Sequence, residues 1–74
     1  MNLREEALAG LIRCRLAEDS RISGLPIDIR IQDGDVHLLG MVETEQQMQT
    51  VELLLNGVCG VRQVFTDRLL VQIR

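Results

Sequence analysis

The segment from Ile27 to Val42 constrains the fold of this chain more than any other. Ile27, Ile29 and Ile31 alternate with polar residues, which is the two-residue period of a strand that buries one face. The pair Asp33-Gly34 follows, and it suits a tight type I′ turn because both central residues of that turn need positive φ. The segment therefore predicts a two-stranded antiparallel hairpin.

The turn also predicts the register of the hairpin, because residues pair outward from it in order. A slip of one residue would move the isoleucines from the core into water. The predicted pairs are Ile31 with Val36, Arg30 with His37, Ile29 with Leu38, and Ile27 with Gly40.

Length and composition limit what the chain can do. Its 74 residues predict one small domain over residues 1–74, and a domain of this size buries only about 60% of its unfolded surface, which leaves little room for a deep catalytic cavity. A hydrophobic content of 46% favours a globular fold. The net charge of −3 argues against a general nucleic-acid binder.

Neither a membrane span nor a signal peptide is predicted. No apolar run approaches the roughly 20 residues that a span needs, and the charged start of the chain lacks the apolar region of a signal peptide. If Met1 is the native start, we expect a cytoplasmic protein. If the chain is an excised domain, that inference fails.

Helices are predicted on both sides of the hairpin. The first spans Leu3 to Asp19, before a connector from Ser20 to Pro26, and the second begins after Thr44 and ends at Leu55 or Asn56. Thr44 and Gln47 have the spacing of a capping box. The predicted apolar stripes are Leu8, Ile12 and Leu16 flanked by Ala7 and Leu11, and Met48, Val51, Leu55 and Val58 beside Leu54.

A last strand is predicted from about Arg62 to Ile73, with a bulge or bend at Thr66-Asp67. The order is then α-β-β-α-β, and the helix between the second and third strands makes those two strands parallel. We therefore predict an α+β fold in which two helices pack on one face of a three-stranded mixed sheet.

Single residues complete the structural prediction. Gly40 is expected to let a helix approach the sheet closely, and Gly60 is expected to serve the turn from helix to strand. Cys14 and Cys59 are predicted to be buried or half-buried free thiols, because two cysteines cannot complete a structural zinc site.

The sequence offers no set of residues for catalysis or metal binding. His37 is the only histidine, and no nucleophile is expected within its reach; we interpret it as a solvated strand residue. Asp33-Gly34-Asp35 is too short for a calcium loop, and one aromatic residue, Phe65, cannot form a base-stacking platform. We therefore predict no enzyme, no catalytic or metal site, no cofactor and no nucleic-acid partner.

Five segments in this order and spacing resemble the BON domain (bacterial OsmY and nodulation) family. The resemblance covers nearly the whole chain and implies the same α+β fold. It also implies a phospholipid- or envelope-associating module, with an envelope or periplasmic location if the chain is an excised domain. The last strand, from Phe65 to Ile73, is more apolar than the family pattern. The segments are Leu8-Ile12-Leu16, Ile27 to Ile31, Asp33 to Leu38, Leu39-Gly40-Met41-Val42 and Gly60-Val61-Arg62-Gln63-Val64.

Two binding hypotheses follow. The helices leave one sheet face uncovered, and either the Leu69, Val71 and Ile73 set or the set with Leu70 joins it. The leading hypothesis is a non-catalytic module that binds a protein partner or its own copy through this face, or through the arginine-bearing side of the first helix. The candidate partner-binding residues are Arg30, His37, Leu39, Met41 and Leu70, and Asp28 is expected on the same face.

The alternative hypothesis is association with anionic phospholipid at a membrane surface. It uses Arg13, Arg15 and Arg21, at and beyond the end of the first helix. Each arginine near such a surface contributes about 1 kcal/mol, and salt screens that attraction. Binding through these three residues is therefore expected to be weak.

Overall fold

The element order matches the predicted α-β-β-α-β arrangement. A computed structural model describes residues 2–72, so the predicted role of Ile73 lies outside the described residues. The sheet order is β1-β2-β3, with β1 antiparallel to β2 and β2 parallel to β3. The elements are α1 (Leu3–Glu18), β1 (Ile27–Gln32), β2 (Asp35–Val42), α2 (Glu45–Asn56) and β3 (Gln63–Val71).

The hairpin has the predicted turn and register. Asp33 and Gly34 both have positive φ, 53° and 84°, as a type I′ turn requires. The pairs run from Ile31 with Val36 to Ile27 with Gly40. Since register decides which side chains reach the core, this agreement fixes the two faces of β1 and β2.

The core lies between the two helices and one face of the sheet. Ile12 of α1, Leu38 of β2 and Leu55 of α2 are each 0% exposed. The stripe of α2 is as predicted, but the flank of α1 is not, because Ala9 is buried whereas Ala7 and Leu11 are exposed. At about 100° per residue, position 9 lies 20° beyond position 16 of the stripe, whereas positions 7 and 11 turn away from the sheet.

Both helices begin with a capping box. The Thr44 hydroxyl oxygen accepts the N–H of Gln47 at 3.1 Å, and the Gln47 side chain accepts the N–H of Thr44 at 3.2 Å, as predicted. Asn2 and Glu5 form the same arrangement at α1, at 2.8 and 3.2 Å. The signal for the α1 cap is Asn followed three residues later by Glu, but we had not predicted it.

A bulge in β3 shifts its alternation, as the sequence predicts at Thr66-Asp67. Phe65 pairs with His37, but the next pair toward the end of the strand is Arg68 with Leu39. The Thr66 hydroxyl donates to Glu52 of α2 at 3.2 Å, so this extra residue is tied to the helical layer.

Predictions on a glycine and two cysteines were wrong. Gly40 has a φ of +117°, and a Cβ there would lie 1.9 Å from the carbonyl oxygen of Pro26; the close neighbour is the backbone before β1, not a helix. Met41 N–H donates to that same oxygen at 3.1 Å. Cys14 and Cys59 are free, but both are exposed, because one lies on the outer side of α1 and the other in the α2–β3 loop.

Candidate functional site

The face of the sheet that the helices leave uncovered, called the open face below, is arranged in rows across the three strands. The register places one residue from each strand in three rows, and one residue each from β2 and β3 in a fourth, so neighbours in a row have their side chains side by side. The rows are Gln32, Asp35 and Gln63; Arg30, His37 and Phe65; Asp28, Leu39 and Arg68; and Met41 with Leu70.

A stacked pair of rings occupies the middle of the open face. The His37 and Phe65 rings have centroids 4.7 Å apart and planes 10° from parallel. Both side chains are half-buried, so His37 lies on the uncovered face as predicted and keeps partial contact with solvent while it stacks on Phe65. The parallel pairing of β2 with β3 brings Phe65 to this position, and the sequence could not assign it because no local pattern sets where a parallel strand begins after a helical crossover.

A depression of about 420 Å³ lies beside these rings, lined by Arg30, His37, Leu39, Asp67 and Arg68. Arg30 and Arg68 are exposed, and within residues 2–72 neither forms an ion pair. Two free guanidinium groups therefore border a half-buried ring and a leucine, a combination suited to a carboxylate beside an apolar group.

Apolar side chains continue the open face toward the ends of β2 and β3. Leu70 is 58% exposed, whereas the preceding Leu69 is 3% exposed and faces the helices. Leu39 and Met41 were expected to be exposed, but both are half-buried, because β1 and β3 flank them on the central strand. Leu70 is thus the most accessible apolar residue of this face.

The candidate lipid-binding arginines do not form one basic patch. Arg13 and Arg15 are two residues apart on α1, so they point about 200° apart around the helix. Arg21 lies in the connector and forms an ion pair with Asp19 at 2.6 Å. Hydrogen bonds from the Arg21 side chain and backbone hold the pKa of Asp19 at about 2. The charge of Arg21 is therefore partly neutralised by Asp19 and less available to a lipid headgroup.

A second depression, of about 680 Å³, lies where the start of α1 meets the hairpin turn and the α2–β3 loop. Its lining includes Leu8 and Leu11, with Arg4 and Arg62 beside them. Acidic side chains at Glu5 and Asp33 line it as well, so the site has no net preference for one sign of charge. Sequence reasoning had not singled it out.

The described residues contain neither a metal-binding cluster nor a helix that could span a membrane. Within residues 2–72, no three histidine, cysteine, aspartate or glutamate side chains come together in a way that would hold a metal ion. Neither α1 nor α2 combines the length and the apolar character that crossing a membrane requires.

Comparisons with known proteins agree with this architecture. The family model of the BON domain matches residues 4–73. The C-terminal domain of CdsD, the structural protein of the type III secretion system of Chlamydia trachomatis, superposes with a TM-score of 0.73 at 15% identity, over 93% of this chain and 34% of that one. The chain therefore spans about a third of the length of that C-terminal domain chain, and the likeness concerns the fold. No curated protein matches the chain significantly in sequence.

Proposed function

The chain belongs to the BON domain family, and from this premise we propose that it is a non-catalytic binding module whose open face contacts a protein partner or a second copy. The observation that carries the proposal is the exposed Leu70 in line with half-buried Met41, next to the depression between Arg30 and Arg68. Folding does not require these groups on an uncovered face, and aromatic residues, methionine and arginine are enriched in protein interfaces.

Support for a non-catalytic role comes from the chemistry of the open face. A general base needs a substrate or nucleophile within about 3 Å and a partner that orients it. His37 instead stacks on Phe65, and its neighbours in the depression are arginines, an aspartate and a leucine. These groups suit binding through charge and apolar contact.

The proposal is tested by Leu70→Asp, because Leu70 is accessible and its replacement leaves the core intact. We expect the variant to lose association through the open face, seen as at least a tenfold weaker Kd for that contact, with a nearly unchanged free energy of unfolding. Self-association is measured by sedimentation velocity. Hetero-association is measured as cross-linking to a protein partner in cells, with a photo-reactive amino acid in place of Leu70. The same amino acid in place of Leu53 of α2 serves as the reference.

Leu53→Asp is the matched control. Leu53 is 75% exposed on α2, so the substitution adds the same charge at a similarly accessible leucine away from the open face. Association that falls equally in both variants would be a nonspecific effect of charge. Association that survives Leu70→Asp and Leu39→Asp, in folded variants, would remove the open face from consideration.

Association with anionic phospholipid through Arg13, Arg15 and Arg21 stays a prediction, and the arrangement of these residues favours it less. No single face presents all three, and Asp19 partly neutralises Arg21. Co-sedimentation with anionic vesicles tests it at low and physiological salt. Binding that Arg13→Glu with Arg15→Glu abolishes would favour the lipid hypothesis, and binding that survives both would exclude this site.

A further inference from the structure

The outer face of α1, defined by Leu3, Ala7, Gly10, Cys14 and Ala17, has no charged residue. All five are exposed, and they lie on the side of the helix opposite the buried Ile12. They recur at intervals of four, three, four and three residues, the spacing of the seam along which two helices pack. Leu3 is 83% exposed and Leu11, at the margin, is 42% exposed, so the face also offers two large apolar side chains.

Gly10 lies at the middle of this face and would permit a close helix–helix approach. A Cβ placed there would meet no atom within 4 Å, so the position has no need for glycine within the monomer. A glycine in a helix interior costs stability relative to alanine. A second helix passing over Gly10 would use the space that a side chain would fill.

One flank of the outer face carries two opposite charges, one on each side of Gly10 along the helix. Glu6 lies four residues before it and Arg13 three residues after it. Because these two are seven residues apart, they lie on the same flank of α1, about 20° from each other. Their separation along the axis is about 10 Å, and within residues 2–72 neither forms an ion pair.

We propose that the outer face of α1 binds the same face of a second copy, with the helices antiparallel and a twofold axis at Gly10. In that arrangement Glu6 of each copy lies beside Arg13 of the other, which gives two reciprocal pairs. A parallel twofold arrangement would instead bring opposite flanks together, with Glu6 beside Arg4 of the other copy but Arg13 beside Arg15. Antiparallel helices also bring unlike ends of their dipoles together.

The opposite flank is close to neutral in this arrangement. Leu11 meets its own copy near the axis, which adds apolar contact. Arg4 of one copy lies between Arg15 and Glu18 of the other, one repulsive and one attractive neighbour. The preference for the antiparallel order therefore comes from Glu6 and Arg13.

The size of the contact predicts a weak dimer. A helix of 16 residues is about 24 Å long, and one helix pair of this length buries less than the roughly 1,200 Å² at which standard interfaces begin. We therefore expect a reversible dimer that forms as the concentration rises. The proposal is independent of the open face, because the core separates that face from the outer face of α1.

Disulfide cross-linking tests the geometry. With Cys14→Ser and Cys59→Ser, the substitution Gly10→Cys places one thiol at the twofold axis, where it should form a linked dimer. The matched control carries only Cys59→Ser. In the antiparallel dimer its two Cys14 Cα atoms are eight residues, about 12 Å, apart along the axis, beyond the roughly 7 Å limit for a disulfide.

We expect the thiol at position 10 to cross-link at least tenfold faster than the thiol at position 14. Equal rates would overturn the proposal, because a parallel pair brings both positions beside their own copies and random collision favours neither. A faster cross-link at position 14 would overturn it as well.

Charge reversal provides a readout that a folding defect cannot imitate. Glu6→Arg and Arg13→Glu should each raise the dimer Kd at least fivefold in sedimentation equilibrium. The double variant should restore it to within about twofold, since the reciprocal pairs are re-formed with opposite sign. Leu70→Asp should leave this dimer unchanged. A chain that stays monomeric at about 1 mM, or single variants without effect, would overturn the proposal.

Discussion

The two faces of β2 are built from alternate residues of one strand, yet they have different relations to the rest of the molecule. Val36, Leu38 and Val42 face the helices and are each 0% exposed. His37, Leu39 and Met41 face away and are half-buried by their neighbours on β1 and β3. The first set is needed for folding, whereas the apolar part of the second set exceeds what folding needs and is therefore available for binding.

The largest expected effect is a difference in the free energy of unfolding between substitutions at two adjacent leucines, Leu38 and Leu39, which lie on opposite faces of β2. Leu38→Ala should lower the free energy of unfolding by about 2–5 kcal/mol, because it opens a cavity in the core. Leu39→Ala should lower it by about 1 kcal/mol, because only part of that side chain leaves water on folding. Urea unfolding measures both. Equal losses would mean that the open face belongs to the core, and the distinction between the two faces would fail.

Two glycines extend the comparison from side chains to the backbone. Gly40→Ala should destabilise by about 1–3 kcal/mol, because positive φ disfavours alanine and its Cβ would clash with Pro26. Gly10→Ala should stabilise the monomer by about 0.5–1 kcal/mol. Denaturant midpoints at low protein concentration, where any dimer dissociates, give both values. A loss of stability at Gly10 would show that the monomer itself needs this glycine.

The sequence predicted those parts of the fold that local rules determine. The alternation of Ile27, Ile29 and Ile31 and the turn at Asp33-Gly34 fix the hairpin because both act within a few residues. The bulge at Thr66-Asp67 was predicted as well, but the pairing of Phe65 with His37 was not. That contact depends on where a parallel strand begins after a helical crossover, which no local pattern sets.

Errors on exposure have a related cause. Leu39 and Met41 were expected to be exposed, since the central strand was treated without the side chains of both neighbours. Cys14 was expected to be buried from the general behaviour of cysteine, but its place on α1 is set by the stripe through Ile12. The open face as a whole could be predicted, whereas the contacts among its residues required the three-dimensional register.

A smaller effect is expected at the ring pair in the centre of the open face. His37→Ala and Phe65→Ala should each destabilise modestly, and the double variant should lose less than their sum, because the contact is lost once. The coupling should be about 0.5–1 kcal/mol, the lower part of the range for residues in contact. Unfolding measured at one fixed pH completes the cycle. A coupling near zero would mean that the contact between the two rings does not stabilise the fold.

The smallest effect concerns the arginines and separates the paired Arg21 from the unpaired Arg68. The folded state lowers the pKa of Asp19 from 3.8 to about 2 through hydrogen bonds from Arg21. A carboxyl group with a depressed pKa stabilises the fold at pH values above its unfolded pKa, and this contribution is lost as the pH falls from about 4 to about 2.

Urea midpoints between pH 5 and pH 2 at low salt should therefore fall less steeply in Arg21→Gln than in the unchanged chain. Arg68→Gln, which removes a charge without a partner, should keep the original slope. Identical slopes in all three proteins would show that Asp19 and Arg21 do not stay paired in solution, and Arg21 would then be as free to bind an anion as Arg68.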